Sequence, residues 1–307
     1  MTTPPSVSVI IAAADAAETL PRALDAIEAQ DYQGTIEVVV AAADLGSARV
    51  AEGRSLVVAN PTGRTPVALN LAARSSHGEV LVRIDAHSVV PPDYVSRLVA
   101  TLERTGADNV GGMQVPTGAT FKEKAIAVAM SSPFGAGDAR YRIGGSSGPT
   151  DTVYLGAFRR SLFDRLGGYD EQFTRHQDYE LNHRIRAQGG TVWFEPHVRV
   201  EYRPRSSFTA LARQYFEYGR WKRRFGRTHA GAMRPRQWAP PLLVLGLLAS
   251  LIGAIWWTWL LWLPAAYVVG LILAGVSTVP SAGPAAAAVP VALATMHVSW
   301  GIGFLTG

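Results

Sequence analysis

The last 71 residues of the chain, 237–307, contain no Asp, Glu, Lys or Arg. Residues 239–276 are almost wholly apolar, and this stretch of 38 residues is long enough for two membrane-spanning helices of about 20 residues each. The Ala- and Gly-rich residues 285–307 predict a third, less apolar span. A buried core helix is the alternative interpretation, but so long a stretch without charge favours a C-terminal anchor of two to three transmembrane helices.

Positive charge is concentrated directly before this apolar stretch. Residues 203–236 carry ten Lys or Arg and one acid, whereas residues 1–202 carry 19 Lys or Arg and 23 acids. Lys and Arg beside an apolar segment mark the cytoplasmic side of a membrane, and the opening residues MTTPPSVSVII lack the basic leader of a signal peptide. We therefore expect a multi-pass protein of the inner (plasma) membrane whose N-terminal part is cytoplasmic.

The basic segment also predicts what kind of partner the chain has. Residues 207–229 show apolar residues at helical spacing with basic residues later, so we expect an amphipathic helix on the lipid headgroups. A basic surface can bind nucleic acid, but its position against the apolar stretch favours a membrane and no nucleic acid. The chain has no Cys, which excludes disulfides, thiolate zinc sites and cysteine nucleophiles.

The first 200 residues alternate between strand-like and helix-like patterns. The predicted strands are residues 6–12, 36–41, 55–59, 79–84 and 109–115, and the predicted helices between them are residues 19–30, 65–76 and 92–105. Such alternation predicts an α/β fold with a Rossmann-like, mostly parallel sheet. No G-x-G-x-x-G follows the first strand, which disfavours a dinucleotide-binding oxidoreductase.

The segment VRIDAH, residues 82–87, ends the fourth predicted strand in an acid, a spacer and an imidazole. Ligands of parallel sheets bind beyond the carboxyl ends of the strands. Asp85 and His87 stand at that end, so they are candidate ligands of a divalent metal.

A second candidate acid is Asp178, in the first turn of a helix predicted to end at Gly189–Gly190. The helix dipole favours the ionised carboxylate there, and an ionised carboxylate is what a general base needs. The pattern alone favours helix capping over catalysis at this position.

These pieces belong to an ordered set of motifs that resembles the family 2 glycosyltransferases. The set runs from VSVII at the start of the chain through ALN (68–70), RIDAH, GGYDE and QDYEL to GRW before the apolar stretch. Within that family, DAH, PFG (133–135), DTVY and QYFEYGRWK (214–222) are similar to the membrane-anchored ExoA type of succinoglycan biosynthesis. The resemblance covers roughly residues 6–230 and implies a GT-A fold, a nucleotide-sugar donor and inverting transfer.

The resemblance also implies the chemistry of the two candidate acids. Asp178 would be the general base that takes the proton of the acceptor hydroxyl. Asp85 would contact the donor and, together with His87, a divalent cation, Mn²⁺ or Mg²⁺, that stabilises the leaving diphosphate.

Further residues take roles by the same resemblance. Asp15 and Arg64 would lie near the donor, and Arg220 and Trp221 would face the acceptor or the membrane interface. The second strand ends in VAAAD, where the family has a strand-end Asp that reads the donor base. Either Asp44 reads the base after a shift of register, or other residues hold the base. Glu217 replaces the Gln of the Gln-x-x-Arg-Trp motif of processive synthases, which predicts a single addition.

Together these observations predict a nucleotide-sugar transferase domain (1–202), a basic amphipathic interface region (203–236) and a membrane anchor (237–307). The leading hypothesis is transfer of one hexose, with UDP-glucose as the expected donor, to a lipid-linked glycan acceptor in exopolysaccharide or cell-envelope glycan synthesis. Two alternatives stay open. One is transfer to polyprenyl phosphate, which needs no base, and the other is a catalytically degenerate membrane scaffold of the same fold.

Overall fold

The computed structural model describes residues 3–307. Within these residues, eight strands form one sheet in the order β3-β2-β1-β4-β7-β5-β8-β6. The strands are β1 (Val7–Ala13), β2 (Ile36–Ala42), β3 (Leu56–Ala59), β4 (Val80–Arg83), β5 (Asn109–Pro116), β6 (Gly148–Pro149), β7 (Tyr154–Arg159) and β8 (Val192–Tyr202).

Helices fill most of the remaining chain. They are α1 (Leu20–Glu28), α2 (Leu45–Ala51), α3 (Thr65–Arg74), α4 (Tyr94–Thr105), α5 (Phe121–Ser131), α6 (Pro133–Ala136), α7 (Arg140–Ile143), α8 (Arg160–Arg165), α9 (Gln177–Ala187), α10 (Phe208–Thr228), α11 (Ala239–Gly253), α12 (Trp262–Ser277), α13 (Val279–Ala282) and α14 (Val289–Thr306). Short 3-10 segments occur at Pro235–Gln237, Thr258–Leu261 and Gly283–Ala288.

The first four strands form the parallel part of the sheet. β1 pairs in parallel with both β2 and β4, and β2 pairs in parallel with β3. β7 runs antiparallel to β4 and β5, and β6 runs antiparallel to β8. Val9, Ile10 and Ile11 of β1 are fully buried, as expected for a central strand covered on both faces. The predicted α/β class with a mostly parallel sheet is confirmed.

The strand order changes direction at β1, which in open α/β sheets marks the position of the ligand crevice at the carboxyl edge. The chain moves from β1 outward to β3 and then returns to β4 on the other side of β1. Ligands of open α/β sheets bind at such a change of direction, outside the carboxyl ends of the strands. Asp15 follows β1 and Asp85 follows β4, so both lie at this edge.

The chain divides into two compact units. The first contains residues up to Val115 together with Gly144–Glu201, and the second contains Pro116–Ile143 and Tyr202–Gly307. Residues 116–143 therefore group with the C-terminal part, although the sequence placed them in the transferase domain 1–202. The functional roles of the three predicted domains stay predictions.

The core of the first unit lies between the sheet and its amphipathic helices. α1 buries Leu20, Leu24 and Ile27, which follow the predicted helical spacing. α4 likewise buries Val95, Leu98, Val99 and Leu102. These apolar stripes cover the buried strands, so the apolar face that the helical period predicts is the face that packs on the sheet.

The second unit is built on α10 and α14, which approach each other closely through glycines. A Cβ on Gly219 would lie 2.1 Å from the carbonyl oxygen of Trp300, and one on Gly303 would lie 2.0 Å from that of Phe216. Only glycine fits these backbone contacts, as in the small-residue interfaces of membrane helices. The Gly219 of the GRW motif therefore has a packing role.

In the described part of the chain, two helical stretches are long and apolar enough to cross a membrane, Thr258–Ser277 with 20 residues and Val279–Thr306 with 28. α11, the first of the predicted spans, has 15 residues and a length of about 22 Å, shorter than the roughly 30 Å of a bilayer core. Four Trp side chains are 60–76% exposed, and they are Trp256, Trp257, Trp259 and Trp262. Such exposure suits an interfacial position for Trp.

Three local patterns in the sequence predict structures that differ from those observed. Residues 191–196 and 198–204 read as two short strands, but the structure has the single strand β8 there. Gly156 reads as a turn residue, but it lies inside β7. Thr65 before Pro66 reads as a helix N-cap, but Arg64 is the N-cap of α3 and Thr65 is the first helical residue.

Candidate active site

Three acidic residues mark the carboxyl edge of the parallel strands. Asp15, Asp44 and Asp85 each follow their strand, β1, β2 and β4, by two residues. Because these strands are parallel neighbours, the three acids occupy the same edge of the sheet.

Arg83, the last residue of β4, joins the two principal site acids. Its Nε and Nη2 donate to Asp85 Oδ1 at 3.0 and 2.8 Å, and its Nη1 donates to Asp178 Oδ1. The Arg83 side chain is 6% exposed, whereas those of Asp85 and Asp178 are 20% and 33% exposed. The rigid fork of guanidinium donors therefore holds two carboxylates from distant parts of the chain in a fixed relation.

Asp178 lies in the first turn of α9 but does not cap it. The N-cap is His176, and no side-chain capping bond forms at this end of the helix. The interpretation of Asp178 as a helix cap is therefore wrong. The Asp178 carboxylate pairs with the Arg83 guanidinium instead.

The surroundings of Asp178 also set its basicity. Burial raises the pKa of the Asp178 carboxyl, the positive charge of Arg83 opposes the rise, and the negative charge of Asp85 adds to it. A carboxylate with a raised pKa is a stronger base once it is ionised, which is suited to accepting a proton.

Asp85 and His87, the predicted metal ligands, lie close together in the chain just after β4. Arg83 uses only Oδ1 of Asp85, and His87 has an exposed side chain two residues further on. From residue 3 to residue 307, no group of three or more His, Cys, Asp or Glu is arranged to hold a metal ion. Mg²⁺ in nucleotide sites is commonly held by one or two protein carboxylates together with substrate phosphates. The residues present therefore fit a cation that binds together with a diphosphate.

Asp44 organises the loop that follows β1. Its Oδ2 accepts from the Asp15 backbone N–H at 2.8 Å and from Ser47 Oγ at 2.7 Å, and its Oδ1 accepts from the Ser47 N–H at 2.8 Å. Hydrogen bonds from the Ser47 backbone, the Ser47 hydroxyl and the Asp15 backbone lower the pKa of the Asp44 carboxyl. Asp44 thus caps α2 and fixes the backbone of Asp15, whose own side chain is exposed.

Asn70 of the ALN motif anchors the turn of the GGYDE motif. Its Nδ2 donates to the Tyr169 carbonyl at 2.9 Å and to Glu171 Oε1 at 3.0 Å, and its Oδ1 accepts from the Tyr169 N–H at 2.9 Å. The exposed Arg64 donates to the carbonyl of Glu171. The two motifs therefore form one connected structure beside the start of α3.

Backbone strain is found at the same edge. Among residues 3–307, the non-glycine residues with positive φ are Asp15 (49°), Leu155 (44°) and His176 (60°). Asp15 follows β1, Leu155 lies in β7 beside the end of β4, and His176 directly precedes α9. Left-handed backbone costs a non-glycine residue roughly 1–2 kcal/mol, and such residues cluster at ligand sites.

Arg220 and Trp221 belong to the second unit, on α10. Arg220 is exposed and donates to Glu217 at 3.1 Å. Trp221 is half-buried, and the guanidinium carbon of Arg224 lies 5.1 Å from the centre of its ring. Their predicted acceptor or interface role stays a prediction.

The sequence analysis included Arg83 and Asn70 in its motifs but missed their roles. The signal for Arg83 was present, because an Arg inside the otherwise apolar strand VLVRI must find buried partners. No local pattern indicated the contacts of Asn70, since its partners lie about 100 residues away in the chain and only the folded structure brings them to it.

The chain is similar to known glycosyltransferases in both sequence and fold. Residues 8–167 match glycosyl transferase family 2. The chain is 31% identical over 257 residues to the succinoglycan biosynthesis protein ExoA of Rhizobium meliloti (strain 1021), which covers 82% of this chain and 77% of that protein.

Two solved structures are similar to this chain. One is the mannosyltransferase PcManGT from Pyrobaculum calidifontis in complex with GDP-Man and Mn²⁺, with a TM-score of 0.59, 21% identity and coverage of 99% of this chain and 87% of that one. The other is S. aureus TarS 1–349 in complex with UDP-GlcNAc, with a TM-score of 0.51, 12% identity and coverage of 68% and 65%. At these identities the likeness shows the fold alone, and it confirms the predicted GT-A class.

Proposed function

Because this chain belongs to glycosyl transferase family 2, we propose that it transfers a single hexose, glucose from UDP-glucose, to a lipid-linked glycan acceptor. The transfer inverts the anomeric centre and serves exopolysaccharide or cell-envelope glycan synthesis, as the name of the ExoA relative suggests. The enzyme works at the cytoplasmic face of the inner membrane as a multi-pass protein.

The observation that carries this proposal is the fixed pair of carboxylates at the crevice edge. Arg83 holds Asp85 and Asp178 in one cluster. We assign Asp85 to the donor and its metal, and Asp178 to the acceptor. Single displacement needs both functions next to each other.

The bond changes follow from these positions. The acceptor hydroxyl oxygen attacks the anomeric carbon while Asp178 takes the hydroxyl proton. The bond from that carbon to the diphosphate oxygen breaks, and the nucleoside diphosphate leaves with the electron pair. Attack opposite to the leaving group inverts the anomeric configuration, and Arg83 keeps the Asp178 carboxylate in place during the step.

Asp85 and His87 would hold a divalent cation, Mn²⁺ or Mg²⁺, together with the donor. When bound, the cation stabilises the negative charge that develops on the leaving diphosphate. His87 is suited to Mn²⁺, since imidazole is a softer ligand than a carboxylate oxygen. The Mn²⁺ in the PcManGT complex supports this assignment.

Donor recognition is assigned to the loops at the same edge. Asp15 stands in the loop after β1, which Asp44 fixes by its hydrogen bond, and Arg64 stands at the start of α3. The exposed guanidinium of Arg64 suits the donor phosphates, because Arg pairs well with phosphate oxygens.

The membrane and the acceptor are assigned to the second unit. Its two long apolar helices provide the anchor, and Arg220 and Trp221 on the basic helix α10 face the headgroups or the acceptor. Glu217, ion-paired with Arg220, stands where processive synthases have Gln, which supports addition of one sugar.

Nucleotide binding tests this proposal and separates it from a degenerate scaffold. Purified full-length chain is heated in detergent with Mn²⁺ and UDP-glucose, UDP-GlcNAc or GDP-mannose. A donor at a free concentration of 100 times its Kd adds about 2.7 kcal/mol to the free energy of unfolding. UDP-glucose, as the proposed donor, is expected to raise the Tm most.

Two further arms of this experiment test the metal assignment. His87→Ala should reduce the Mn²⁺-dependent part of the rise, whereas His77→Ala, which removes another exposed His of the same unit, should not. Absence of a Tm rise with every nucleotide sugar would support the scaffold instead.

A further inference from the structure

Arg142, in α7 of the second unit, is a buried cation without an anionic partner among residues 3–307. Arg142 is 8% exposed. Its Nε donates to the Tyr141 hydroxyl at 3.1 Å, whereas its Nη1 is buried and has no hydrogen-bond partner among the described residues. The titratable groups that act on it are Tyr141, Tyr215 and Tyr218, and none of these is a carboxylate. Over the described chain, Arg142 forms no ion pair.

This arrangement is costly for the protein alone. A buried charge needs a counter-ion and satisfied hydrogen bonds to offset its loss of hydration. The ring of Tyr141 lies 5.3 Å from the guanidinium carbon, and a cation–π contact offsets part of that cost. The open Nη1 still lacks the acceptor that a buried guanidinium requires.

The surrounding side chains form a polar group, which we call the Arg142 cluster: Tyr141, Arg142, Tyr202, Gln214, Tyr215 and Tyr218. Among residues 3–307, Gln214 Oε1 is a buried acceptor without a hydrogen-bond partner, so the donors of the cluster are the guanidinium, the phenols and the Gln214 amide N–H. Gln214 Nε2 donates to the hydroxyl oxygens of Tyr202 and Tyr218 at 3.1 and 2.9 Å. Because the Tyr202 oxygen accepts there, its own hydrogen is directed away from Gln214. The cluster thus combines a buried guanidinium with phenol donors, the groups that bind an oxyanion.

The position of the cluster indicates which anion it would take. Tyr215 belongs to the apolar core that includes Leu293 and Met296 of α14, and Tyr202 and Tyr218 pack against that core. The second unit carries 14 Lys or Arg and three acids, which favours an anionic ligand. In a lipid phosphate, the apolar tail could contact these helices while the charged phosphate binds the cluster.

We propose that the Arg142 cluster binds the phosphate or diphosphate group of the lipid-linked acceptor. The inference rests on the proposed function, because it assigns the site that would hold the acceptor's anion. The donor diphosphate carries the same chemistry, so the experiment compares both sources.

Binding of a short polyprenyl diphosphate tests the proposal without requiring transfer. Full-length chain in detergent is titrated by calorimetry with farnesyl diphosphate, with farnesol, which lacks the anion, and with UDP plus Mn²⁺. Arg142→Gln is expected to weaken farnesyl diphosphate binding about tenfold or more, the effect of losing a hydrogen bond to a charged group. Binding of farnesol and UDP should not change.

The stability of the ligand-free protein separates a ligand site from a structural one. If Arg142 serves to bind an anion, Arg142→Gln removes a charge that is uncompensated in the ligand-free protein, and the ligand-free Tm stays unchanged or rises. Arg213→Gln removes the same charge from an exposed position on α10, and it should leave both the Tm and farnesyl diphosphate binding unchanged. If Arg142→Gln does not fold, Arg142→Lys keeps the charge but loses the planar fork, and it should show the same loss of affinity.

Three results would overturn the proposal. They are equal farnesyl diphosphate affinity in all variants, a fall of the ligand-free Tm without loss of binding, and a loss of UDP affinity instead, which would assign the anion to the donor. Arg142-dependent diphosphate binding in a chain that transfers no sugar would leave this site standing and contradict the proposed function alone.

Discussion

Asp178→Asn is expected to lower kcat for transfer to a hydroxyl acceptor by about 10²–10⁴-fold, the contribution of a general base. Asn cannot take the acceptor proton, but it keeps the size of Asp and an oxygen that can accept from Arg83. The affinity for the nucleotide sugar should therefore stay unchanged. Initial rates at saturating donor, together with donor binding by calorimetry, measure the two effects separately.

Asp164→Asn is the matched control, since it neutralises an exposed acid of the same unit on α8 and should leave kcat unchanged. Transfer that persists at the native rate in Asp178→Asn would remove Asp178 as the base. That result would favour polyprenyl phosphate as the acceptor, because a phosphate oxygen is already ionised and needs no base.

Arg83→Gln is expected to lower kcat about 10²-fold and to move the acid limb of the pH–rate profile. The rate falls because Asp178 loses the contact that fixes its position, and small displacements at a reacting centre have effects of this size. The pH shift has a defined sign. The Arg83 charge lowers the pKa of Asp178 against the raising effects of burial and of Asp85. Without it the pKa rises further, so activity is lost at a higher pH as the solution is acidified.

Arg83→Lys separates charge from geometry in the same experiment. Lys keeps the positive charge but cannot hold both carboxylates with a rigid fork, so the acid limb should move less than in Arg83→Gln while kcat still falls. Arg97→Gln is the matched control: it removes an exposed Arg paired with Asp93, and it should leave kcat and the acid limb unchanged because solvent screens a surface pair of this kind. An unchanged acid limb in Arg83→Gln would contradict the assignment of Asp178 as the titrating base.

The sequence predicted the parts of the fold that depend on local pattern. The apolar run of β1 and the helical stripes of α1 and α4 appear in the structure as burial on the expected faces. Asp85 was predicted at a strand end, and the parallel pairing of β4 with β1 places it at the crevice. These features follow from periods of two and 3.6 residues, which a sequence shows directly.

The features that were missed depend on contacts between distant residues. Arg83 was passed over because its role depends on Asp178 in another element, and Asn70 because its partners lie in the turn around Tyr169. The grouping of residues 116–143 with the C-terminal part also depends on tertiary packing, since α5 contributes Ile126 and Met130 to the core that contains α14. Tertiary contacts of this kind override what a local pattern can show.

The most direct measurement is the mass of the lipid acceptor after incubation with the full-length chain. The chain is reconstituted in vesicles that contain a diphosphate-linked glycan lipid, and UDP-glucose and Mn²⁺ are supplied on the side of the first unit. The account predicts that the lipid gains one hexose, that the new linkage has the inverted anomeric configuration, and that Asp178→Asn vesicles form almost none of it. An unchanged lipid with every nucleotide sugar, or a ladder of several added hexoses, would contradict the account.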